Sequence, residues 1–157
     1  MIKDLQPVLR PLSTDDLASV LAIYNEAIAN TTAIYEYDPF DIAYIQHWWE
    51  QKIASEHPVI AAELNGQLAG FATYGVFRAR AAYRTSMEHS VYVQPTFQKL
   101  GIGRLLLRAI EEEARSRGVH VLIGGIDADN HTSIKLHEQE GFNRAAHLHE
   151  VAFKFNR

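Results

Sequence analysis

The sequence predicts a single α/β or α+β domain built around a mixed sheet, and three observations carry that expectation. First, 157 residues is one domain's length, enough to bury roughly 68–70% of the surface the unfolded chain exposes. Second, 47% hydrophobic and 22% charged residues is ordinary globular composition and excludes a disordered chain. Third, strand-like and helix-like segments alternate along the chain, and an Asn65-Gly66 turn between two strand-like runs makes at least part of the sheet antiparallel.

Val8-Leu9-Arg10 reads as a short strand closed by Pro11. Ser13 or Thr14, followed by Asp15 and Asp16, caps a helix with Leu17, Val20, Leu21, Tyr24 and Ile28 at helical spacing. The stretch from Asn30 to Pro39 breaks the pattern as a loop. A second helix over about Ile42–Ser55 carries Ile45, Trp48, Trp49 and Ile53, with the two tryptophans read as packing. Pro58–Leu64 and about Gln67–Val76 form the hairpin around Asn65-Gly66. A loop rich in arginine and tyrosine leads to a strand over Met87–Val93. Gly101–Arg117 is an amphipathic helix with two favourable i,i+4 pairs, Glu111 with Arg115 and Glu113 with Arg117, and Gly118 stops it. His120–Ile126 is a strand, Asn130–Glu140 a helix ended by Gly141, and Ala145–Phe155 reads as a last strand.

Fifteen Lys+Arg against nineteen Asp+Glu give a net charge of −4, which lacks the basic footprint of a nucleic-acid binder. There is no cysteine, so disulfide scaffolds, thiolate metal sites and a cysteine nucleophile are excluded. The N-terminal residues hold no apolar run of signal-peptide length, and nowhere do eighteen apolar residues follow one another. A cytoplasmic protein with no membrane partner is the expectation. His147-x-His149 has no evident third ligand, so no metal site is expected.

The chemistry concentrates between Glu88 and Gly103. Two glycines, Gly101 and Gly103, open a long helix directly after a strand and a short connection. Free N–H groups at such a start attract phosphate, and small residues let the ligand reach the backbone. Neither common phosphate motif fits: Leu106 stands where a dinucleotide fingerprint needs its third glycine, and no Gly-Lys-Ser/Thr follows as a P-loop requires. Taken alone, the Gly-x-Gly is equally a tight turn. No Gly-x-Ser-x-Gly elbow surrounds Ser90.

Gln98-Lys99-Leu100-Gly101-Ile102-Gly103 resembles the pyrophosphate loop of the GNAT acyl-CoA N-acyltransferases, including its place between strand and helix. Asn130-x-x-Ser133-x-x-x-His137-Glu138-x-x-Gly141-Phe142 is similar to a helix motif of the same superfamily. Ile23–Ile28, Asn30–Ala33, Glu88–Val93 and Leu136-His137-Glu138 resemble the branch that N-acetylates phosphinothricin and methionine sulfone or sulfoximine. The similarity runs from about residue 8 to the C-terminus. It implies the GNAT fold, a central mixed and mostly antiparallel sheet flanked by helices. Members of that branch continue past a Lys-Phe-Gly-Arg-type segment into Trp-Leu-Asp and a final strand. Here Lys154-Phe155-Asn156-Arg157 closes the sequence, so the expectation is a sheet lacking its last strand, with an exposed edge.

The resemblance also implies roles. Acetyl-CoA is the expected co-substrate, with no metal. Glu88 is the general base, acting through a water, where the plain alternative is an ordinary strand-edge carboxylate. Val91, Tyr92 and Val93 line the pantetheine arm, and a main-chain N–H there polarises the thioester carbonyl. Gln98, Lys99, Leu100, Gly101, Ile102 and Gly103, with the Arg104 amide, hold the pyrophosphate. Asn130 and Ser133 touch the pantetheine side, and Asn130 is equally a natural N-cap. His137 stands where many relatives carry a tyrosine that protonates the leaving thiolate, and it reads equally as a packed helix histidine. Arg78 and Arg80, with Phe77 and Tyr83 beside them, fit recognition of an anionic or tetrahedral side-chain group on an α-amino acid. Thr31, Tyr35 and Glu36 wall the pocket, and His89 joins the substrate-binding set. A homodimer is expected. A peptide or polyamine acetyltransferase on the same fold, and a non-catalytic CoA-binding module, are the other readings. Arg78 and Arg80 speak against a polyamine, and Glu88 speaks against the silent module.

Overall fold

A computed structural model describes residues 6–157; Met1–Leu5, the start of the segment read above for a leader, lies outside the described residues. The chain forms β1 (Val8–Pro11), α1 (Leu17–Asn30), α2 (Ile42–Ala54), β2 (Val59–Leu64), β3 (Gln67–Val76), β4 (Ser86–Val93), α3 (Ile102–Ser116), β5 (Val121–Gly124) and α4 (His131–Gln139). Among the described residues no helix is long and apolar enough to cross a membrane.

Local chemistry places each turn. The Ser13 amide donates to Asp16 Oδ2 at 2.8 Å, while Arg10 forks onto the same carboxylate at 2.7 and 2.8 Å. That contact holds the Asp16 carboxyl below its ordinary pKa and fixes the entry to α1 beside β1. Asn65 and Gly66 both take positive φ, 55° and 74°, as a two-residue hairpin turn requires. Gly118 takes φ 75° after α3, its amide reaching Arg115 O and that of Val119 reaching Ala114 O, the paired bonds of a Schellman stop.

The strands lie in the order β1-β2-β3-β4-β5. The first four pair antiparallel and β5 joins β4 in parallel, so the sheet is mixed as expected. One face packs on α1 and α2 through Val20, Ile23, Tyr24, Ile45 and Phe71. The other packs on α3 through Tyr74, Ile102, Leu106, Leu107 and Ile110. Trp48 and Trp49 pack against the first of these cores. Gly70 lets β4 lie close against β3: a Cβ there would stand 2.5 Å from Tyr92 O.

Two expectations are corrected. The strand read over His120–Ile126 pairs only over Val121–Gly124, because β5 parts from β4 after Gly124. The strand read over Ala145–Phe155 is absent: this segment is irregular, and Glu150 and Phe155 both take φ 55°, which breaks an extended run. A helix end holds it instead. Lys154 Nζ donates to Ile28 O, Thr31 O and Ile34 O at 2.6, 2.8 and 2.7 Å, tying the carbonyl end of α1 to the loop that follows it. Tyr37 Oη donates to Phe153 O, and Arg157 reaches Asp129 at 2.6 Å. Among the described residues β5 therefore pairs only with β4 and forms an edge of the sheet.

Candidate active site

The parallel ladder runs from Ser86–Val121 to His89–Gly124 and stops there, while β4 continues four residues further, to Val93. A wedge opens between the two strands. The antiparallel ladder with β3 alternates, and its bonds from Phe77 N to Ser86 O and from Gln94 N to Ala69 O set the phase. Glu88, Ser90 and Tyr92 consequently spend their main-chain groups on β3, and those of Val91 and Val93 point into the wedge.

The start of α3 lies beyond the end of β4. Lys99 and Gly101 take φ 63° and 80°, turning the chain sharply into the helix. The amide of Leu105 bonds to Gly101 O, so those of Gly101 to Arg104 have no acceptor within the helix, and no side chain caps them. Four such N–H groups at the positive end of a fifteen-residue helix suit a pyrophosphate. A Cβ on Gly103 would stand 3.6 Å from Leu136 and 3.8 Å from Val93, so a longer side chain would enter the space between α3, α4 and β4. Gln98 Nε2 lies 3.4 Å from Val93 O, and Leu100 is exposed. The Arg104 guanidinium is tied to Glu140 at 2.8 Å and Gln139 at 2.6 Å, which leaves its amide for a ligand. Asn130 caps α4 by accepting from the Ser133 amide at 3.1 Å.

Glu88 stands opposite Ile123 in the last pairs of the ladder, at the vertex of the wedge, and its side chain is exposed. Its Oε1 sits so near Gly125 that a Cβ there would stand 2.9 Å away. Gly125 shows no positive φ, so alanine fits its backbone and only the mobile carboxylate has to move. Gly125→Ala is expected to lower turnover by about 10- to 100-fold, since misplacing a reacting group by about 1 Å costs that much. Its thermal unfolding midpoint stays at that of the parent, and a fall in both together would refute the placement.

His89 is not on the Glu88 face. Adjacent strand residues point to opposite faces, and His89 is buried at 5% exposure on the α3 side. Its Nδ1 lies 2.9 Å from Ile123 O and its Nε2 2.9 Å from Nε2 of His137, itself 8% exposed. His137 Nδ1 lies 2.7 Å from Ser133 O, with Ser133 Oγ at 3.4 Å. Both ring nitrogens of His137 thus face protein groups, and Ser133 stands nearest to it on the first turn of α4. Burial, with His137 close by, pushes the His89 pKa down to about 4. Gly141, at φ 94°, reverses the chain so that Phe142 covers both imidazoles, with ring centres 5.3 Å from His89 and 5.1 Å from His137. A Cβ on Gly124 would stand 2.9 Å from His89 and 3.4 Å from His137. Gly124, Gly125 and the contact made by Phe142 are parts of the site that sequence reasoning missed.

The arginine loop is ordered around Phe77. The Arg78 guanidinium carbon lies 4.5 Å above its ring, and Tyr83 meets it edge-on at 6.1 Å. Arg78 and Arg80 are exposed and have no carboxylate partner among the described residues. Thr31 Oγ1 donates to Ala27 O at 2.7 Å, and Tyr35 Oη donates to Asp127 Oδ2 at 2.7 Å. Tyr35 and Asp127 border a cavity of about 180 Å³ beneath the C-terminal segment. A larger cavity, of about 460 Å³, lies among His57, Tyr74, Arg84 and Arg117, and none of the residues read as the site lines it. Among the described residues no three His, Asp or Glu side chains stand together as metal ligands.

Residues 20–142 match the Acetyltransferase (GNAT) family. The chain belongs to that family. This GNAT chain is 38% identical over 150 residues to the L-methionine sulfoximine/L-methionine sulfone acetyltransferase of Pseudomonas aeruginosa, covering 95% of itself and 87% of the relative. Its fold superposes on a ribosomal-protein-alanine N-acetyltransferase from Brucella melitensis with TM-score 0.94 and 44% identity, over 96% of this chain and 93% of that one. A GNAT phosphinothricin acetyltransferase from Sinorhizobium meliloti, in complex with acetyl-CoA, gives TM-score 0.92 at 30% identity, over 96% and 82% of the two chains. The GNAT acetyltransferase fold expected from the sequence is the one observed, with five strands and four α-helices among the described residues.

Proposed function

We propose that the chain transfers an acetyl group from acetyl-CoA to the α-amine of a small amino acid of the methionine sulfone, methionine sulfoximine or phosphinothricin kind. The observation that carries this reading is a carboxylate, Glu88, at the vertex of a wedge whose far end presents four unpartnered amides. The relatives named for such acceptors support the choice of amine. The residues present fit acetyl-CoA: the amides of Gly101 to Arg104 suit its pyrophosphate, and the open edge at Val91 and Val93 suits its pantetheine arm and thioester.

In this mechanism Glu88 takes a proton from the attacking amine, directly or through a water. A main-chain N–H of Val91 or Val93 receives the thioester carbonyl oxygen as negative charge develops on it, a fixed dipole that costs no reorganisation during the reaction. Ser133 and His137, close together on α4, are the groups assigned to supply a proton to the departing thiolate. Acetyl-CoA supplies the activated acyl group.

Arg78 and Arg80 hold the acidic end of the amino acid, since a guanidinium fork matches a carboxylate or a tetrahedral oxyanion. Removing both with alanine is expected to raise KM for the amino acid by about 100-fold or more, with each charged hydrogen bond worth about 1.5–3 kcal/mol. KM for acetyl-CoA stays unchanged; steady-state kinetics with each substrate varied separately check this.

Thiol release from acetyl-CoA with a panel of amines tests the reading. Turnover confined to methionine sulfone, methionine sulfoximine and phosphinothricin is expected. The Brucella melitensis relative favours a second reading, acetylation of a protein N-terminus, and turnover with an alanine-initiated peptide would select it. Turnover with spermidine would reject both.

A further inference from the structure

We infer that His89 and His137 share one proton between their Nε2 atoms, so that the pair carries a single positive charge, and that this proton store serves the leaving thiolate through the Ser133 hydroxyl. The inference rests on the acetyl-transfer reading above and adds to it the charge of the pair, the part of His89 and the route.

Three close polar contacts hold the pair: Nδ1 of His89 to Ile123 O at 2.9 Å, Nδ1 of His137 to Ser133 O at 2.7 Å, and Nε2 to Nε2 at 2.9 Å. A carbonyl oxygen only accepts, so both Nδ1 atoms must carry hydrogen. The third contact brings two nitrogens together and needs a hydrogen of its own. Three contacts need three ring protons, whereas two neutral imidazoles hold two. The closed arrangement is therefore one imidazole and one imidazolium.

The surroundings decide where the charge sits and what it can do. His89 is the more deeply buried ring, and its lowered pKa makes it the neutral acceptor. His137 then holds two protons and points Nδ1 towards its own helix. Tyr74 on β3 stands across from His89. The side chains α3 turns to the sheet are apolar, β5 contributes backbone at Ile123 and Gly124, and Phe142 closes the outside. Glu88 lies on the reverse face of β4, and Glu138 is drawn to Arg144 at 2.7 Å. No carboxylate hydrogen-bonds the pair among the described residues, so nothing neutralises the charge in place. His89 acts here as a positioning residue, holding His137 in its doubly protonated form.

The step balances. The Ser133 hydroxyl, 3.4 Å from His137 Nδ1, gives its proton to the thiolate sulfur and takes one from Nδ1. The shared proton stays on Nε2 of His137 and bonds to His89. The pair falls from one positive charge to none, the thiolate becomes a neutral thiol, and solvent recharges the pair.

The protein labelled with ¹⁵N-histidine tests the count without turnover. Near neutral pH both Nδ1 atoms should be protonated and a single further proton should bridge the Nε2 atoms. One proton on each ring would overturn the inference. Kinetics test the route: Ser133→Ala should lower kcat by about 10²-fold, as for a lost proton donor, with the ring-proton count unchanged. Ser133→Thr, which keeps the hydroxyl, should restore most of the rate. A Ser133→Ala enzyme within twofold of the parent would overturn the route. Failure of the parent to acetylate any amine would overturn the acetyl-transfer reading, and the proton count would still be judged on its own spectrum.

Discussion

Glu88→Gln is expected to lower kcat by about 10²- to 10⁴-fold, the usual worth of a positioned general base. Acetyl-CoA should bind the variant as it binds the parent. Glutamine keeps the shape of the side chain and its ability to hydrogen-bond, and loses only the capacity to accept a proton at the pH of the reaction. Glu88 is exposed, and the groups suited to acetyl-CoA are main-chain amides at Gly101 to Arg104 and at Val91 and Val93. Neither the fold nor the donor site depends on its charge, so stability should move by no more than about 0.5 kcal/mol. Thiol release gives kcat, and calorimetric titration with acetyl-CoA gives Kd. Loss of both in equal measure would remove Glu88 from the role of base.

Phe71→Ala is expected to cost about 3–5 kcal/mol of stability, a large share of the roughly 5–15 kcal/mol that holds a domain together. Phe71 has no exposed surface and lies 5.3 Å from Tyr24, 5.4 Å from Tyr92 and 6.1 Å from Trp48, ring centre to ring centre. One side chain therefore joins α1, α2, β3 and β4. The neighbouring rings are wedged against one another, since Tyr24 also meets Phe40 and Trp48 at 5.8 Å, and they cannot collapse into the space left behind. Urea unfolding should show a lower midpoint with an unchanged slope. A loss below about 1 kcal/mol would mean that the cluster relaxes around the hole.

Much of this architecture is legible in the sequence where the controlling chemistry is local. Asn65-Gly66 announces its turn because few other residues accept positive φ twice in succession, and Gly118 announces the end of α3 for the same reason. Asn130 is readable as a cap because its partner, the Ser133 amide, is three residues away. Gly124 and Gly125 are not readable in this way. Their meaning depends on His89, His137 and Glu88, which are distant in sequence and adjacent only after β4 and β5 pair. His89 is an intermediate case. Strand alternation alone assigns it to the face opposite Glu88, and the motif resemblance, which carries both residues as a block, hides that distinction. The segment at Ala145–Phe155 has a strand's composition, yet Lys154 is drawn inward by three carbonyls, Ile28 in the last turn of α1, Thr31 just after it and Ile34 in the loop that follows, and the chain goes with it.

Along β4, side chains alternate between the faces of the sheet while main-chain groups alternate between its edges, and one backbone geometry locks the two alternations in phase. Glu88, Ser90 and Tyr92 send side chains towards α1 and α2 and their amides to β3; His89, Val91 and Val93 send side chains towards α3 and α4 and their amides towards β5 or the open wedge. Under the proposed reaction the amine and the acyl donor are thus read by interleaved residues of a single strand. Of the residues on the acceptor side, Glu88 is fixed by its role as base and Tyr92 by its packing on Tyr24 and Phe71, which leaves Ser90 free to vary, while the donor is met by main-chain groups that no substitution removes, short of proline. A strand wired in this way can exchange one amine substrate for another without relearning how to hold coenzyme A.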